Sequence, residues 1–444
     1  MKRVLILGAG RSSSSLIRYM LDHAGACQWY LTVADVSLET AQKKIGSNDA
    51  GKAVQFDIND PESSKEIIGG ADIVISLLPP NFHPLVALRC LEGSKHFITA
   101  SYVSDELKAF DKEAREKGLV FLNECGLDPG IDHLSAMKVI DDIRDNGGTI
   151  TSFESFTGGL IAPETDPGNP WRYKFTWNPR NVVMAGQSTA KYLHDGKSKY
   201  ISYQQLFRRI TPIHVPGYGN YEGYANRDSL KYIDTYGLLG ISTILRGTLR
   251  HKGFCAAWNI LVQLGCCDDS YAMEYVSKMT HAGFLNAFLP ANPGDNTEEK
   301  VCTHFGLKAS DPEIKMLKWS GFFEDTPVGL DQGSPAKILE YMLNKKWVLK
   351  DEDKDQIVMW HRFRYVLEGK AKEIQASLVA TGFDAVYTAM AKTVGLPLGI
   401  ATRLIASDNI RARGVIIPTT REFYRPILRE LGALGIALNE LEVP

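Results

Sequence analysis

The first 125 residues alternate short β-rich runs with stretches of helical spacing, and this alternation constrains the chain more than any other feature: it is the pattern of a parallel sheet built from βαβ units. The predicted strands are Arg3 to Leu7, Tyr30 to Ala34, Val54 to Asp57, Ile73 to Leu77, His96 to Ala100 and Leu119 to Asn123. Each is an apolar run short enough for a strand covered on both faces. Between them, Ser14 to Leu21, Leu38 to Ile45, Pro61 to Ile68, Pro84 to Leu91 and Asp105 to Lys117 carry helical spacing, several opened by Pro, Ser or Asp. A series of this kind makes one complete doubly wound α/β domain, a Rossmann sheet.

After Gly130 the pattern changes. Ser152 to Gly159 and Ile357 to Thr381, the latter with the alternation of Phe363, Tyr365 and Leu367, read as strands of a second sheet, so this second domain is discontinuous in sequence. The stretch from Ala256 to Leu349 is helical in spacing, as in Ser270 to Met279, Ile314 to Trp319 and Ala336 to Lys345, and is expected to be a helical insertion. Asn292 to Thr297, with Pro293 and Gly294 inside it, reads as a loop. Towards the end come a helix from Ala385 to Leu396, a stop at Pro397, a helix to Ala406 and a last helix from Arg421 to Leu434, expected to pack back on the first domain.

Composition narrows the partners. The 50 Lys and Arg nearly cancel the 52 Asp and Glu, so no whole-chain field favours nucleic acid or an anionic membrane. Seven Cys without a C-x-x-C spacing argue for free thiols in a reducing compartment, the cytoplasm, and none of the ten His falls at a metal-ligand spacing. No apolar run reaches the length of a secretory signal or a membrane span. The expected partner is a small molecule, with no metal, nucleic acid or membrane.

Gly8-Ala9-Gly10-Arg11-Ser12-Ser13 follows the first strand and opens a helical stretch, the context of a dinucleotide-binding turn. Gly8 permits the tight turn, Gly10 lets backbone amides approach a pyrophosphate, and the helix N-terminus adds partial positive charge. The usual third glycine is Ser13, small enough to keep helix and strand close. Asp35, 25 residues after Gly10, ends the second strand where a carboxylate accepts hydrogen bonds from a ribose, and it would repel a 2′-phosphate. The cofactor is therefore NAD or NADP, with NAD favoured by Asp35. Asp57-Ile58 and Leu78-Pro79 follow the third and fourth strands at the carboxyl edge that faces a cofactor; for Asp57, helix capping is an equal alternative.

Three later loops pair backbone freedom with polar side chains: Ala100-Ser101-Tyr102, Gly126-Leu127-Asp128-Pro129-Gly130 and Thr157-Gly158-Gly159-Leu160. Tyr102 and Asp128 are candidates for proton handling or substrate orientation, against a half-buried aromatic and a turn carboxylate as the structural alternatives. Arg227, Arg246 and Arg250 are candidate carboxylate forks, against surface ion pairing. His133, one turn into the helix after Asp128, is a candidate acid or base, against a packing role.

At these motifs the chain resembles the saccharopine dehydrogenase family of the glutamate-forming type. The likeness runs nearly end to end, through Gly8-Ala9-Gly10, Thr99-Ala100-Ser101-Tyr102, Glu124-Cys125-Gly126-Leu127-Asp128-Pro129-Gly130-Ile131-Asp132-His133 and Gly158-Gly159-Leu160 with Ala162-Pro163-Glu164. It continues in Tyr173-Lys174-Phe175 with Trp177, Asn226-Arg227-Asp228-Ser229, Leu245 to Arg250 and Thr388 to Gly395. The resemblance implies a Rossmann domain completed by the C-terminal helices (1–128 with 385–444), an α+β domain with a mixed sheet that binds substrate and makes a homodimer (129–255 with 350–384), and a helical domain (256–349). It implies reversible oxidation of saccharopine at its secondary amine, through an imine, to glutamate and 2-aminoadipate 6-semialdehyde, with hydride transfer to the nicotinamide, in lysine metabolism.

By the same resemblance Ser101, Tyr102, Asp128, Arg227, Thr248, Leu249 and Arg250 contact the substrate. Gly8, Gly10, Arg11, Ser12, Ser13, Asp35, Asp57, Ile58, Leu78, Pro79, Asp128 and Trp177 are the cofactor-binding candidates. Two departures stand out. Thr157 occupies the place where the family often has a cysteine, and Asp35 stands in a turn where fungal members carry a basic residue and use NADP; here no Arg or Lys follows until Lys43. Thr157 keeps open a sister activity on polyamines, of the carboxyspermidine dehydrogenase type, although Arg227 and Arg250 suit carboxylates better. A non-catalytic NAD(P)-sensing protein is the alternative from a different class, against which the Asp128 and Arg227 motifs argue.

Overall fold

The computed structural model describes residues 1–291 and 296–443. The chain divides into two compact units, Met1–Thr149 with Leu378–Asn439, and Ile150–Ser377 with Glu440–Pro444.

The first unit is built on β1 (Lys2–Leu7), β2 (Trp29–Asp35), β3 (Gly51–Gln55), β4 (Ile73–Ser76), β5 (His96–Thr99) and β6 (Val120–Leu122). A seventh strand, Gly414–Ile416, pairs in parallel with β6, and the sheet runs Gly414–Ile416, β6, β5, β4, β1, β2, β3. Leu7 at the end of β1 faces Ala34 of β2 on one side and Ser76 of β4 on the other. The order reverses between β1 and β4, and this switch point opens a crevice at the carboxyl ends of the strands. Leu5, Leu7, Val74, Val86, Phe97 and Phe121 belong to one buried cluster on this sheet. Each such side chain contributes about 1.5–3 kcal/mol by leaving water, which is why these runs of consecutive apolar residues settle as strands buried on both faces.

Several expectations are corrected here. The third strand ends at Gln55 and not at Asp57, because Phe56 and Ile58 turn into the core beyond it. Asp105 to Lys117 is two helices, Asp105–Ala109 and Asp111–Glu116, joined at Phe110. Pro397 does not end a helix: Ala389–Ala406 runs through it. Its missing donor costs about 3 kcal/mol in an isolated helix, but this helix is held by close packing on Ser14–Asp22. A Cβ on Gly395 would come within 2.7 Å of the Leu16 amide, and one on Gly399 within 2.5 Å of the Tyr19 ring.

The second unit carries a nine-stranded mixed sheet. Its strands include β7 (Thr149–Ile161), β8 (Ala190–His194), β9 (Lys197–Ile201), β10 (Ile210–Val215), β11 (Gly219–Ala225), β12 (Thr243–His251), β13 (Asp355–Leu367) and β14 (Lys370–Thr381). The main path is β10, β11, β12, β7, β13, β14 and the terminal strand Leu438–Val443, with β8 and β9 attached to β12. β12 pairs in parallel with β7 and antiparallel with β11. The single run expected from Ile357 to Thr381 is thus two strands, with Glu368 and Gly369 both at positive φ in the turn between them.

Helices Phe254–Leu264, His281–Asn286, Thr297–Phe305, Pro312–Trp319 and Pro335–Asn344 fill the predicted helical stretch. Ser270 to Met279 is an exception, non-helical apart from a 3-10 turn at Val276–Lys278. Of the predicted loop at Asn292 to Thr297, residues 292–295 lie outside the described residues. Asn296 caps the helix that Thr297 begins, with Glu299 closing a reciprocal capping box. Trp171, Tyr173, Phe254, Trp258 and Trp347 form a buried aromatic cluster, with neighbouring rings 5.0–6.4 Å apart.

Candidate active site

Gly8 leaves β1 at φ +100°, and a Cβ there would lie 3.2 Å from the Leu77 carbonyl. That conformation and that proximity require glycine. Gly10 is different: a Cβ there meets nothing within 4 Å, so its open side is room for a ligand. No side chain caps the turn Arg11–Ser13 or the helix that follows it, which leaves amides suited to an anion. Ser13 is buried, and its hydroxyl donates back to the Gly10 carbonyl at 2.8 Å. A separate close contact, helix against helix, is made at Gly395 and Gly399 of Ala389–Ala406, residues whose role only the packing reveals.

Asp35 Oδ2 accepts from the Ala9 amide at 2.7 Å and Oδ1 from the Ser37 amide at 2.9 Å. The carboxylate is thereby fixed against the glycine turn. Lys44 donates to Ser14 Oγ, and burial holds its ammonium below the usual lysine range. Asp57 is exposed and accepts from the amide and side chain of Asn59, both at 2.9 Å, while the cap of the next helix is Asp60. Ile58 is buried in the core and Leu78 packs against the same cluster, whereas Pro79 is exposed ahead of the turn Pro80–Phe82. These residues and the glycine turn, all at the carboxyl edge, fit a dinucleotide.

The loops after β5 and β6 meet at the same edge. Tyr102 Oη donates to Asp128 Oδ1 at 3.5 Å, a long hydrogen bond that brings the two proton-handling candidates together. The Asp128 loop is compact: Gly130 sits at φ +146°, and any Cβ there would strike Gly126 at 2.1 Å. Beneath it, Glu124 Oε1 accepts from the Val103 amide at 3.1 Å, and Oε2 lies 2.8 Å from His133 Nε2. His133 is fully buried, so it supports the loop through Glu124 and does not face a ligand. Ser101 lies 2.8 Å from Nε2 of His83, a buried histidine that the sequence reading passed over. Its signal is a contact across 18 residues, which no local spacing displays.

In the second unit, Thr157 of β7 sits in register with Thr248 of β12. Gly158 allows a close approach: a Cβ would lie 2.6 Å from the Leu249 carbonyl oxygen. Thr157 Oγ1 is buried and meets no hydrogen-bond partner among the described residues. Arg250 is 5% exposed, and its guanidinium lies 5.0 Å from the Tyr173 ring, 5.1 Å from Phe254 and 5.8 Å from Tyr224. Nη1 donates to the Leu249 carbonyl, while Nε is unpartnered among the described residues. Glu222, its register partner on β11, is engaged by the Gly253 and Cys255 amides at 2.7 and 3.1 Å. A buried cation held by ring faces rather than by a carboxylate is ready for an anionic ligand. Burial pushes Tyr173 up to about 12, so that ring stays neutral beside the cation. Arg227 is exposed at φ +52°, just past the end of β11, and Trp177 is exposed as well. Arg246, by contrast, is buried with its guanidinium 3.9 Å from the Tyr232 ring.

A glycine turn at the switch point of a doubly wound sheet, beside an acidic residue and polar loops, places the chain among the nucleotide-binding oxidoreductases. Two family models match it: the saccharopine dehydrogenase NADP binding domain over residues 4–122 and the saccharopine dehydrogenase C-terminal domain over residues 126–436. The chain is 33% identical to the saccharopine dehydrogenase (NADP(+), L-glutamate-forming) of Schizosaccharomyces pombe, over 99% of each chain. It is equally similar to the Saccharomyces cerevisiae enzyme of the same name, at 33% over 100% of this chain and 99% of the other. The apo structure of the L-Glu-forming saccharopine dehydrogenase from Saccharomyces cerevisiae superposes with a TM-score of 0.90 at 32% identity, covering 100% of both chains. The chain belongs to the saccharopine dehydrogenase family.

Proposed function

We propose that this protein reversibly oxidises saccharopine at its secondary amine, producing L-glutamate and 2-aminoadipate 6-semialdehyde, in lysine metabolism. The observation that carries the reading is the meeting of Tyr102 and Asp128 at the carboxyl edge, in a chain alignable end to end with glutamate-forming saccharopine dehydrogenases. A bound nicotinamide supplies the hydride acceptor. Tyr102 Oη and Asp128 Oδ1 hold and move the proton at the substrate nitrogen and at the water that attacks the imine carbon. Ser101, Arg227 and Arg250 take carboxylates, with Thr248 and Leu249 beside them. Thr157 cannot act as the acid or base that a thiol would be, so in this reading proton traffic rests on Tyr102 and Asp128.

Gly8, Gly10, Arg11, Ser12 and Ser13 hold the pyrophosphate; Asp35, Asp57, Ile58, Leu78, Pro79, Asp128 and Trp177 line the rest of the cofactor in the same proposal. NAD is the favoured cofactor, although the relatives' names give NADP(+). The fixed carboxylate of Asp35 supports NAD, and the engagement of Lys44 with Ser14 leaves it turned to that hydroxyl. The proposal extends to a homodimer in the cytoplasm, where the seven free cysteines suit a reducing compartment. It also takes 256–349 as a helical domain beside the Rossmann and mixed-sheet domains. No helix among the described residues is long and apolar enough to cross a membrane.

The test is the appearance of reduced-nicotinamide absorbance with saccharopine, run in parallel with NAD and NADP. Turnover with a kcat/KM ratio favouring NAD at least tenfold, reduced by Asp35→Ser, is the expected result. A ratio favouring NADP overturns the cofactor assignment alone. A protein that binds cofactor and turns over no saccharopine overturns the substrate assignment.

A further inference from the structure

Ser76, His83, Thr99 and Ser101 form a polar group at the carboxyl edge of the seven-stranded sheet, centred on a histidine that the chemistry above does not use. The His83 ring is 1% exposed. Its Nδ1 lies 3.0 Å from Ser76 Oγ, and its Nε2 lies 2.8 Å from Ser101 Oγ and 3.2 Å from Thr99 Oγ1. Ser76 and Thr99 are fully buried, whereas Ser101 is partly open. The Ser101 amide already donates to Thr99 Oγ1 at 3.2 Å, so the hydroxyl is the group Ser101 has left to offer a ligand.

Resting on the saccharopine reading above, we propose that His83 is a positioning residue: it donates from Nε2 to Ser101 Oγ and so turns the Ser101 hydroxyl proton outward, as a donor to a substrate carboxylate. Counting protons supports this orientation. A neutral imidazole carries one N–H, and the 2.8 Å contact between Nε2 and Ser101 Oγ needs a proton between the two atoms. If Ser101 supplied it, Nδ1–H would donate to Ser76, and the buried hydroxyl protons of both Ser76 and Thr99 would lack an acceptor within this group. If Nε2 supplies it, Ser76 donates to Nδ1 and only Thr99 lacks one. The second arrangement strands fewer buried donors and is the cheaper one. Burial, which holds the ring at about 4, keeps it neutral in this role. The substrate then meets a hydroxyl committed to donating, the polarity that a carboxylate requires and an ammonium does not.

Steady-state rates of the full chain with saccharopine and cofactor test the coupling. His83→Asn, whose amide keeps the Ser76 contact and falls short of Ser101, is expected to raise KM for saccharopine about tenfold, with KM for cofactor within about twofold. His83→Gln, whose longer amide reaches Ser101, is expected to restore KM to within about threefold. In a Ser101→Ala background the Asn substitution is expected to add less than about twofold, because the interaction it removes is already gone. An unchanged penalty in that background, or an equal loss on the cofactor side, overturns the proposal. The ring-nitrogen NMR spectrum of the unaltered protein gives a reading that needs neither substrate nor a folded variant. A proton on Nε2 and none on Nδ1 between about pH 5 and 8 is expected, and a proton on Nδ1 overturns the assignment. A protein inert towards saccharopine overturns the function alone and leaves that spectrum to decide the role of His83.

Discussion

The two units assemble their polar sites by different routes. In the first, Gly8, Asp35, Leu78, Ser101 and Asp128 each end or follow their own strand, and the parallel order of β1 to β6 lines those strand ends along one edge. In the second, Thr157, Thr248, Leu249 and Arg250 come together because β7 and β12 pair in a particular register. Where function sits on strand ends, local turn chemistry carries it. Where it sits on paired strands, register carries it, and register belongs to the sheet and not to any stretch of chain.

The sharpest way to break this contrast is Asp128→Asn in the first unit. Turnover is expected to fall by about 100-fold or more, as for loss of a general acid or base, with cofactor binding by fluorescence titration weakened far less, because the amide keeps the size of the side chain that lines the cofactor. Equal losses in both would assign the loop to the cofactor alone.

A pair of histidines provides an internal control, because burial holds His83 in the first unit and His251 in the second at about 4. Both folded values lie below the unfolded value of about 6.5, so the unfolded chain binds more protons in this window. Stability is therefore full above about pH 6.5 and is lost as pH falls towards 4, by roughly 3 kcal/mol at most for each ring. Replacing either by Asn should flatten the pH dependence of chemical denaturation in that window. An unchanged profile would place the ring in water.

Two glycines divide the units more finely. Gly158→Ala drives a Cβ to 2.6 Å from the Leu249 carbonyl oxygen and is expected to cost about 1–3 kcal/mol of stability, read by denaturant titration. Gly10→Ala meets nothing of its own chain within 4 Å. It should leave the melting temperature unchanged while weakening cofactor binding by about tenfold, through lost contact with the phosphates. A stability loss at Gly10 would remove the distinction between a turn open to a ligand and a strand packed on its neighbour.

Arg250 tests the second unit without a large stability effect. Exchanging a buried cation for Met is expected to change stability by less than about 2 kcal/mol in either direction, yet to raise KM for saccharopine. An unchanged KM would make this arginine a part of the aromatic core and nothing more.

Six strands of the first sheet were legible because each is a short apolar run punctuated by Gly, Pro or Asp. The helix Leu38–Ile45 begins and ends where its spacing predicts, with Ser37 capping it. The strand Gly414–Ile416 was illegible, since three residues show no period. β8 to β12 went unmarked as a group because many of their positions are polar or half-exposed and their partners lie far away in the chain. Pro397 misled for a physical reason: local backbone cost argued for a stop, and packing through Gly395 and Gly399 carried the helix past it.

The sequence by itself determined the doubly wound sheet, the glycine turn at its switch point, the acidic end of β2 and the family, because these depend on residues close together in the chain. Tertiary structure alone decided that Asp35 is fixed by the Ala9 amide, that His83 Nε2 lies within hydrogen-bond distance of Ser101 Oγ, and that Arg250 lies among three rings with no carboxylate partner among the described residues. Those are contacts between residues brought together by strand order and helix packing. Their energies depend on burial and distance, quantities that exist only once the chain has folded.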